Sequence, residues 1–153
     1  MVARDVPHST RYCCCGGVCM GCVSGCFGLD GCMTRVELPF PVPLSACFTN
    51  AAGRGRVPTS RYKAWQQEAL WMLKAQRAKP VEGLVSIFIR LVAPDKRHRD
   101  AGNCDKAVGD ILVKAGLIQD DSNRYVRRLT YEWAEDGPAC VVIIQQAEEA
   151  MAA

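Results

Sequence analysis

From residue 33 onward the apolar side chains recur with clear periods, and before it they do not. Arg35-Val-Glu-Leu-Pro-Phe40 alternates polar and apolar positions, the two-residue period of a strand, and Pro39 assigns that strand to a sheet edge. Residues 45 to 58 hold two short extended stretches around Asn50-Ala-Ala-Gly53 and Gly55, predicting a loose hairpin with Arg54 and Arg56 at a basic, solvent-facing tip. Pro58-Thr59-Ser60 is a helix-start signal. Behind it Tyr62, Trp65, Ala69, Met72 and Leu73 recur at three- and four-residue intervals, one apolar stripe of a helix running to about Lys79. Its place on the stripe assigns Trp65 to the core; Trp71 fits either a core or a surface role.

Leu84 to Val92 is rich in β-branched and aromatic residues and is followed by Pro94, which predicts a buried central strand. A second helix is expected over roughly 101 to 115. There Cys104, Ala107, Val108, Ile111, Leu112 and Ala115 form one apolar face, and Gly116 closes it. Tyr125 to Glu135 and Ala139 to Gln146 read as two strands joined across Asp136-Gly137-Pro138, an expected antiparallel pair. The order strands, helix, strand, helix, strands predicts a small single-domain α/β sandwich, its sheet mostly antiparallel or mixed and covered by two helices.

Composition narrows the class. The 153 residues suit one domain, and 49% hydrophobic with 23% charged residues is an ordinary globular balance. No apolar run approaches the roughly 18 residues of a membrane span. Residues 54 to 128 hold 16 basic and 8 acidic side chains, a balance of +8, whereas 129 to 153 hold five acids and no lysine or arginine. A basic body of this kind suits a polyanion.

Seven of the ten cysteines fall in the first 32 residues. That stretch is a cysteine and glycine mixture with too few aliphatic residues for a core. Cys19 and Cys22 form a Cys-x2-Cys pair, but no second pair or histidine stands at zinc-finger spacing. Asp5 and the glycine-rich composition argue against a secretory signal. Residues 1–32 are therefore expected to be a disordered extension or, the preferred reading, to precede a true start at Met33, with 33–153 the functional domain. The odd three cysteines of the remainder suggest no disulfide framework, and the chain is expected to be cytoplasmic.

The chemistry is expected on the polar side of the second helix. Asp100, Asn103, Lys106 and Asp110 share one face there, and Asp120 and Asp121 lie just beyond its end. Carboxylate oxygens suit Mg²⁺, which can acidify a water that attacks phosphorus, and a nearby lysine can offset the charge that develops. Lys96, Arg97 and Arg99 upstream would contact phosphates. Taken alone, mixed charges on a helix exterior and an Asp-Asp pair opening a turn would explain the same residues without any chemistry.

The unbroken stretch from Pro94-Asp-Lys-Arg-His-Arg-Asp100 through Asn103-Cys-Asp-Lys106 and Asp110 to Asp120-Asp121 closely resembles the signature of the RusA family of Holliday junction resolvases. Leu38-Pro-Phe-Pro41 and Pro58-Thr-Ser-Arg-Tyr-Lys-Ala-Trp65 resemble the start of the same family, so the similarity covers about 33 to 146. Members are small homodimeric endonucleases, often carried by phages or prophages, that use Mg²⁺ to nick opposite strands of a four-way DNA junction. The resemblance implies metal-binding carboxylates at Asp100 and Asp121 with Asp120 beside them, a catalytic set of Asp100, Lys106 and Asp121, and a matching Asn103 at the DNA.

One position departs from the pattern: Gly102 stands where the family has a second aspartate. Water can fill the missing ligand position, Asp105 can contribute, or the protein binds branched DNA without cutting it. On a continuous α-helix Asp105 would lie roughly 140° from Asp100, which favours water. The expected function is Mg²⁺-dependent resolution of four-way junctions by a homodimer, with Mn²⁺ as the alternative ion. Arg54, Arg56, Lys96, Arg97, Arg99 and Asn103 are the expected DNA contacts. The rival is a catalytically degenerate branched-DNA-binding protein.

Overall fold

The structure is a computed structural model that describes residues 33–147. The expectations for residues 1–32 lie outside the described residues. The elements are β1 (Met33–Leu38), α1 (Leu44–Cys47), β2 (Phe48–Ala51), β3 (Gly55–Pro58), α2 (Ser60–Ala75), β4 (Val85–Val92), α3 (Asp105–Lys114), β5 (Val126–Ala134) and β6 (Cys140–Gln146). A 3-10 turn over Ala101–Cys104 leads into α3.

Four strands form a mixed sheet in the order β1-β6-β4-β5, and β2 with β3 forms a separate antiparallel hairpin. Register puts Thr34, Val36 and Leu38 beside Ile144, Val142 and Cys140, which in turn pair with Ile87, Ile89 and Leu91. These nine side chains, with Val85, make one buried face. Against it pack Tyr62, Trp65, Ala69 and Leu73 of α2 and Ala107, Val108, Ile111 and Leu112 of α3, so the predicted sandwich with two covering helices is the fold. Truncating a fully buried side chain such as Ile111 to alanine would cost about 2–5 kcal/mol.

The last two strands correct the sequence reading. β5 and β6 do not pair with each other; they flank β4, β5 parallel to it and β6 antiparallel. A helix stands between β4 and β5, and such a crossover returns the chain to the starting end of the sheet, which makes the two strands parallel. β6 carries buried residues on both faces, Cys140, Val142 and Ile144 on one and Val141 on the other, as interior strands commonly do, and it pairs with β1 and β4. β5 carries Arg127, Arg128, Thr130 and Glu132 exposed, as an edge strand can. Residues 135–139 step across the end of β4, where Val92 N–H donates to Ala139 at 3.0 Å.

Local signals explain the other boundaries. Thr59 Oγ1 accepts the Tyr62 N–H at 3.2 Å and caps α2. That helix ends at Ala75 rather than near Lys79: Arg77 takes φ 52°, and Lys79 precedes a proline, a position that disfavours the helical conformation. At the other edge of the sheet, the Gln76 side-chain amide both donates to and accepts from the Glu37 backbone, each at 2.7 Å, and so occupies that stretch of β1. Gly116 at φ 72° closes α3, with Leu117 N–H donating to Leu112 at 2.9 Å. Trp65 is core, while Trp71 is 77% exposed. Among the described residues Cys47, Cys104 and Cys140 are free and buried. Burial raises all three thiols, Cys140 to about 12.

Candidate active site

The expected catalytic residues lie at the start of the 3-10 turn, on the first turn of α3 and in the loop after that helix, and of them Lys106 and Asp121 are in contact. Asp100 is held first. Its Oδ1 accepts the Gly102 N–H at 3.0 Å, which caps the turn. Lys106, on the first turn of α3, extends between two carboxylates, 2.6 Å from Asp110 Oδ1 and 3.3 Å from Asp121 Oδ2. The hydrogen bond to Asp110 is the main cause that raises the lysine pKa, and Asp121 adds to it. The ammonium therefore stays charged through neutral pH.

Asp120 and Asp121 divide the labour of their loop. Asp120 Oδ1 accepts the Asp121 N–H at 2.9 Å, and hydrogen bonds, the side chain of Ser122 first, lower its pKa. It shapes the turn that aims its neighbour. Asp121 lies over α3 at Gly109, where a Cβ would come 3.5 Å from Asp121 Oδ2. Glycine there keeps side-chain bulk away from the carboxylate.

Asp105, which helical geometry ranked behind water as a contributor, lies beside Lys106 and Asp121. A 3-10 turn occupies 101–104 and α3 begins at Asp105 itself, so a uniform 100° per residue does not describe the path from Asp100. Asp105 lines a cleft of about 140 Å³ together with Lys106, Gly109, Asp121 and Leu129. Tyr131 faces it from β5; burial, then the Asp105 charge, raise the phenol pKa. Arg99 Nε is buried without a hydrogen-bond partner among the described residues. A second, more open cleft of about 380 Å³ runs from Asp105 and Lys106 to Leu44, Phe48 and Arg56.

The expected metal ligands do not gather within one chain: among the described residues no three His, Cys, Asp or Glu side chains are grouped to hold a metal ion. The donor chemistry nevertheless fits Mg²⁺, which takes one or two carboxylates and completes its shell with water and phosphate oxygens. Asp105 and Asp121 line one cleft, which supplies the one or two carboxylates such a cation takes.

The expected DNA contacts divide as well. Arg54 is exposed in the hairpin turn, whereas Arg56 lies within β3, its guanidinium 4.5 Å from the Phe48 ring, on the wall of the open cleft. Lys96 and Asn103 are exposed, and Arg97 is 85% exposed with only a loose 3.9 Å approach to Asp95. Arg99 is 26% exposed: it binds Asp95 at 2.7 Å and lies 5.4 Å over Phe40, which stacks on Trp133. Its charge is largely committed within the protein.

A mixed sheet backed by two helices, with a lysine between carboxylates beside a cleft that Asp105 and Asp121 line, defines a small α/β protein with the side chains that phosphodiester chemistry uses. The family profile described as Endodeoxyribonuclease RusA matches residues 41–145, and the chain belongs to that family of nucleases. The crossover junction endodeoxyribonuclease RusA of Aquifex aeolicus (strain VF5) is 31% identical over 94 residues, covering 59% of this chain and 75% of that protein. Every candidate residue described above lies within the matched span. Among the described residues no helix is long and apolar enough to cross a membrane.

Proposed function

We propose that the protein is a divalent-metal-dependent endonuclease that resolves four-way DNA junctions by paired nicking, as a homodimer. The observation that carries this reading is Lys106 held against Asp121 at a cleft that Asp105 also lines, inside the family's matched span. Asp121, with Asp100 and Asp105, would hold Mg²⁺ or Mn²⁺. When bound, the cation polarises the scissile phosphate and acidifies the attacking water. Lys106 has three N–H donors, two of them directed at Asp110 and Asp121, which leaves one for a phosphate oxygen. In a cleft that excludes part of the solvent, that bond strengthens as charge grows on the phosphoryl group. Arg56 on the wall of the open cleft, with the exposed Arg54, Lys96 and Arg97, would supply cations for the backbone of the arms. Two nicks in opposed strands need two such centres, which a two-fold dimer supplies.

The alternative, a branched-DNA-binding protein that does not cut, is favoured by Gly102 in place of an aspartate. Incubating the purified protein with a four-way junction, with and without Mg²⁺, decides between them. Symmetric nicking only with the metal is expected, and binding without nicking under both conditions would establish the alternative.

A further inference from the structure

Lys106 is a long, flexible side chain on a partly open surface, where one ion pair with a neighbouring turn gives little positional control. Its partner is itself anchored. Asp110 Oδ1 takes Lys106 at 2.6 Å, and Asp110 Oδ2 accepts the Tyr62 hydroxyl at 2.8 Å from across the interface of α2 and α3. With one oxygen given to each, the carboxylate cannot rotate without losing a bond. Tyr62 cannot move either. It is 2% exposed, its ring lies 5.5 Å from Phe48 and 6.2 Å from Trp65, and the Trp65 indole N–H donates to Pro39 at 3.2 Å. A phenylalanine would fill the same space, so the hydroxyl adds nothing to packing, and burying it requires the bond that Asp110 supplies.

We propose that Tyr62, acting through Asp110, is a positioning residue that fixes the Lys106 ammonium against Asp121. The proposal rests on Lys106 as the charge-stabilising group of the reaction proposed above. The chain of restraint runs from the core to the cleft: Trp65 and Phe48 hold the Tyr62 ring, its hydroxyl holds Asp110, and Asp110 holds the lysine.

Two measurements on the full-length chain test it. The first is the side-chain ammonium signal of Lys106 in a proton–nitrogen NMR spectrum without metal or DNA, assigned by its absence in Lys106→Met. Wild type is expected to show a slowly exchanging ammonium, and Tyr62→Phe and Asp110→Asn to broaden or lose it. The second is the single-turnover cleavage rate of a four-way junction at saturating enzyme, expected to fall about 10-fold or more in both variants with junction affinity unchanged, the scale on which orienting partners act. Circular dichroism confirms that Tyr62→Phe is folded, and Asp110→Asn, at a partly exposed position, repeats the test if it is not. A Tyr62→Phe protein that keeps both the signal and the rate overturns the proposal. Loss of the signal in a protein whose wild type never cuts leaves the positioning intact and overturns the junction-cleaving reading instead.

Discussion

The Lys106 ammonium stands 3.3 Å from a carboxylate oxygen of Asp121, a contact between residues fifteen positions apart that joins the first turn of α3 to the loop behind it. An i,i+4 pair with Asp110 alone would be a surface ornament worth about 0.3–0.5 kcal/mol. The contact to Asp121 makes the lysine part of the candidate centre. Lys106→Ala should lower the single-turnover cleavage rate by about two or more powers of ten, with little change in junction affinity. Measuring the rate at saturating enzyme removes binding from the result. A mutant that cuts at the wild-type rate would leave Lys106 as an ion-pair partner only.

The same contacts set a pH dependence. Asp110 foremost, and Asp121, raise the lysine pKa above its ordinary 10.5. A cation whose folded pKa is raised contributes stability that is complete below about 10.5 and is lost as the pH climbs through the raised value. Urea unfolding of wild type and Lys106→Met should therefore differ by a constant amount from pH 7 to 10, converging only in stronger alkali. Convergence already near neutrality would contradict the raised value.

The elements of the fold were legible because their cause is local: Thr59 caps α2, Gly116 ends α3, and β4 is rich in β-branched and aromatic residues. Strand pairing was not. Asp136-Gly137-Pro138 has the composition of a tight turn, and only the helix between β4 and β5, together with two-sided burial of β6, places β4 between the last two strands. The place of Asp105 beside Asp121 was obscured by the assumption of one continuous helix, because a 3-10 turn precedes α3. The role of Tyr62 left no local mark at all: it reads as one more stripe residue, and its partner Asp110 is 48 residues away. Arg99 reads as a free cation in a basic run, and its commitment to Asp95 and Phe40 is visible only in three dimensions.

That difference between neighbouring arginines is measurable. Each phosphate contact steepens the dependence of binding on salt, so Arg97→Ala should reduce the slope of log affinity against log salt by about one. Arg99→Ala removes a guanidinium packed on Phe40 and bonded to Asp95, and should act on thermal stability more than on that slope. An Arg97→Ala protein with an unchanged slope would take Arg97 off the DNA. A full unit lost in Arg99→Ala would show that Arg99 releases Asp95 to bind phosphate.

The carboxylates should separate by role. Asp121→Asn and Asp105→Asn should each abolish or severely reduce metal-dependent cleavage while junction binding persists, because an amide lacks the charge that holds a cation beside a polyanion. Asp120→Asn should be milder, since the asparagine oxygen can still accept the Asp121 N–H that shapes the loop. Wild-type cutting by Asp105→Asn would return that residue to the role of helix-start acid.

Gly102 offers the sharpest test of how the centre tolerates its missing aspartate. The residue is not among the positive-φ glycines, and a Cβ there would meet its nearest atom, Asp100 Oδ1, at 3.4 Å, so a side chain is accommodated without backbone strain. Gly102→Asp places a second carboxylate beside Asp100. The two charges repel each other in the free protein, and a bound divalent cation relieves that repulsion. The variant should therefore need less Mg²⁺ for half-maximal cleavage, while its unfolding midpoint without metal falls slightly. Cleavage titrations against Mg²⁺ for wild type and Gly102→Asp read this directly. A lower half-maximal concentration with an unchanged plateau would mean that Asp105 and water already complete the wild-type centre and the added ligand only tightens it. A plateau raised from near zero would instead establish the natural chain as the non-cutting binder. An unchanged titration would mean that position 102 does not reach the cation in this protein.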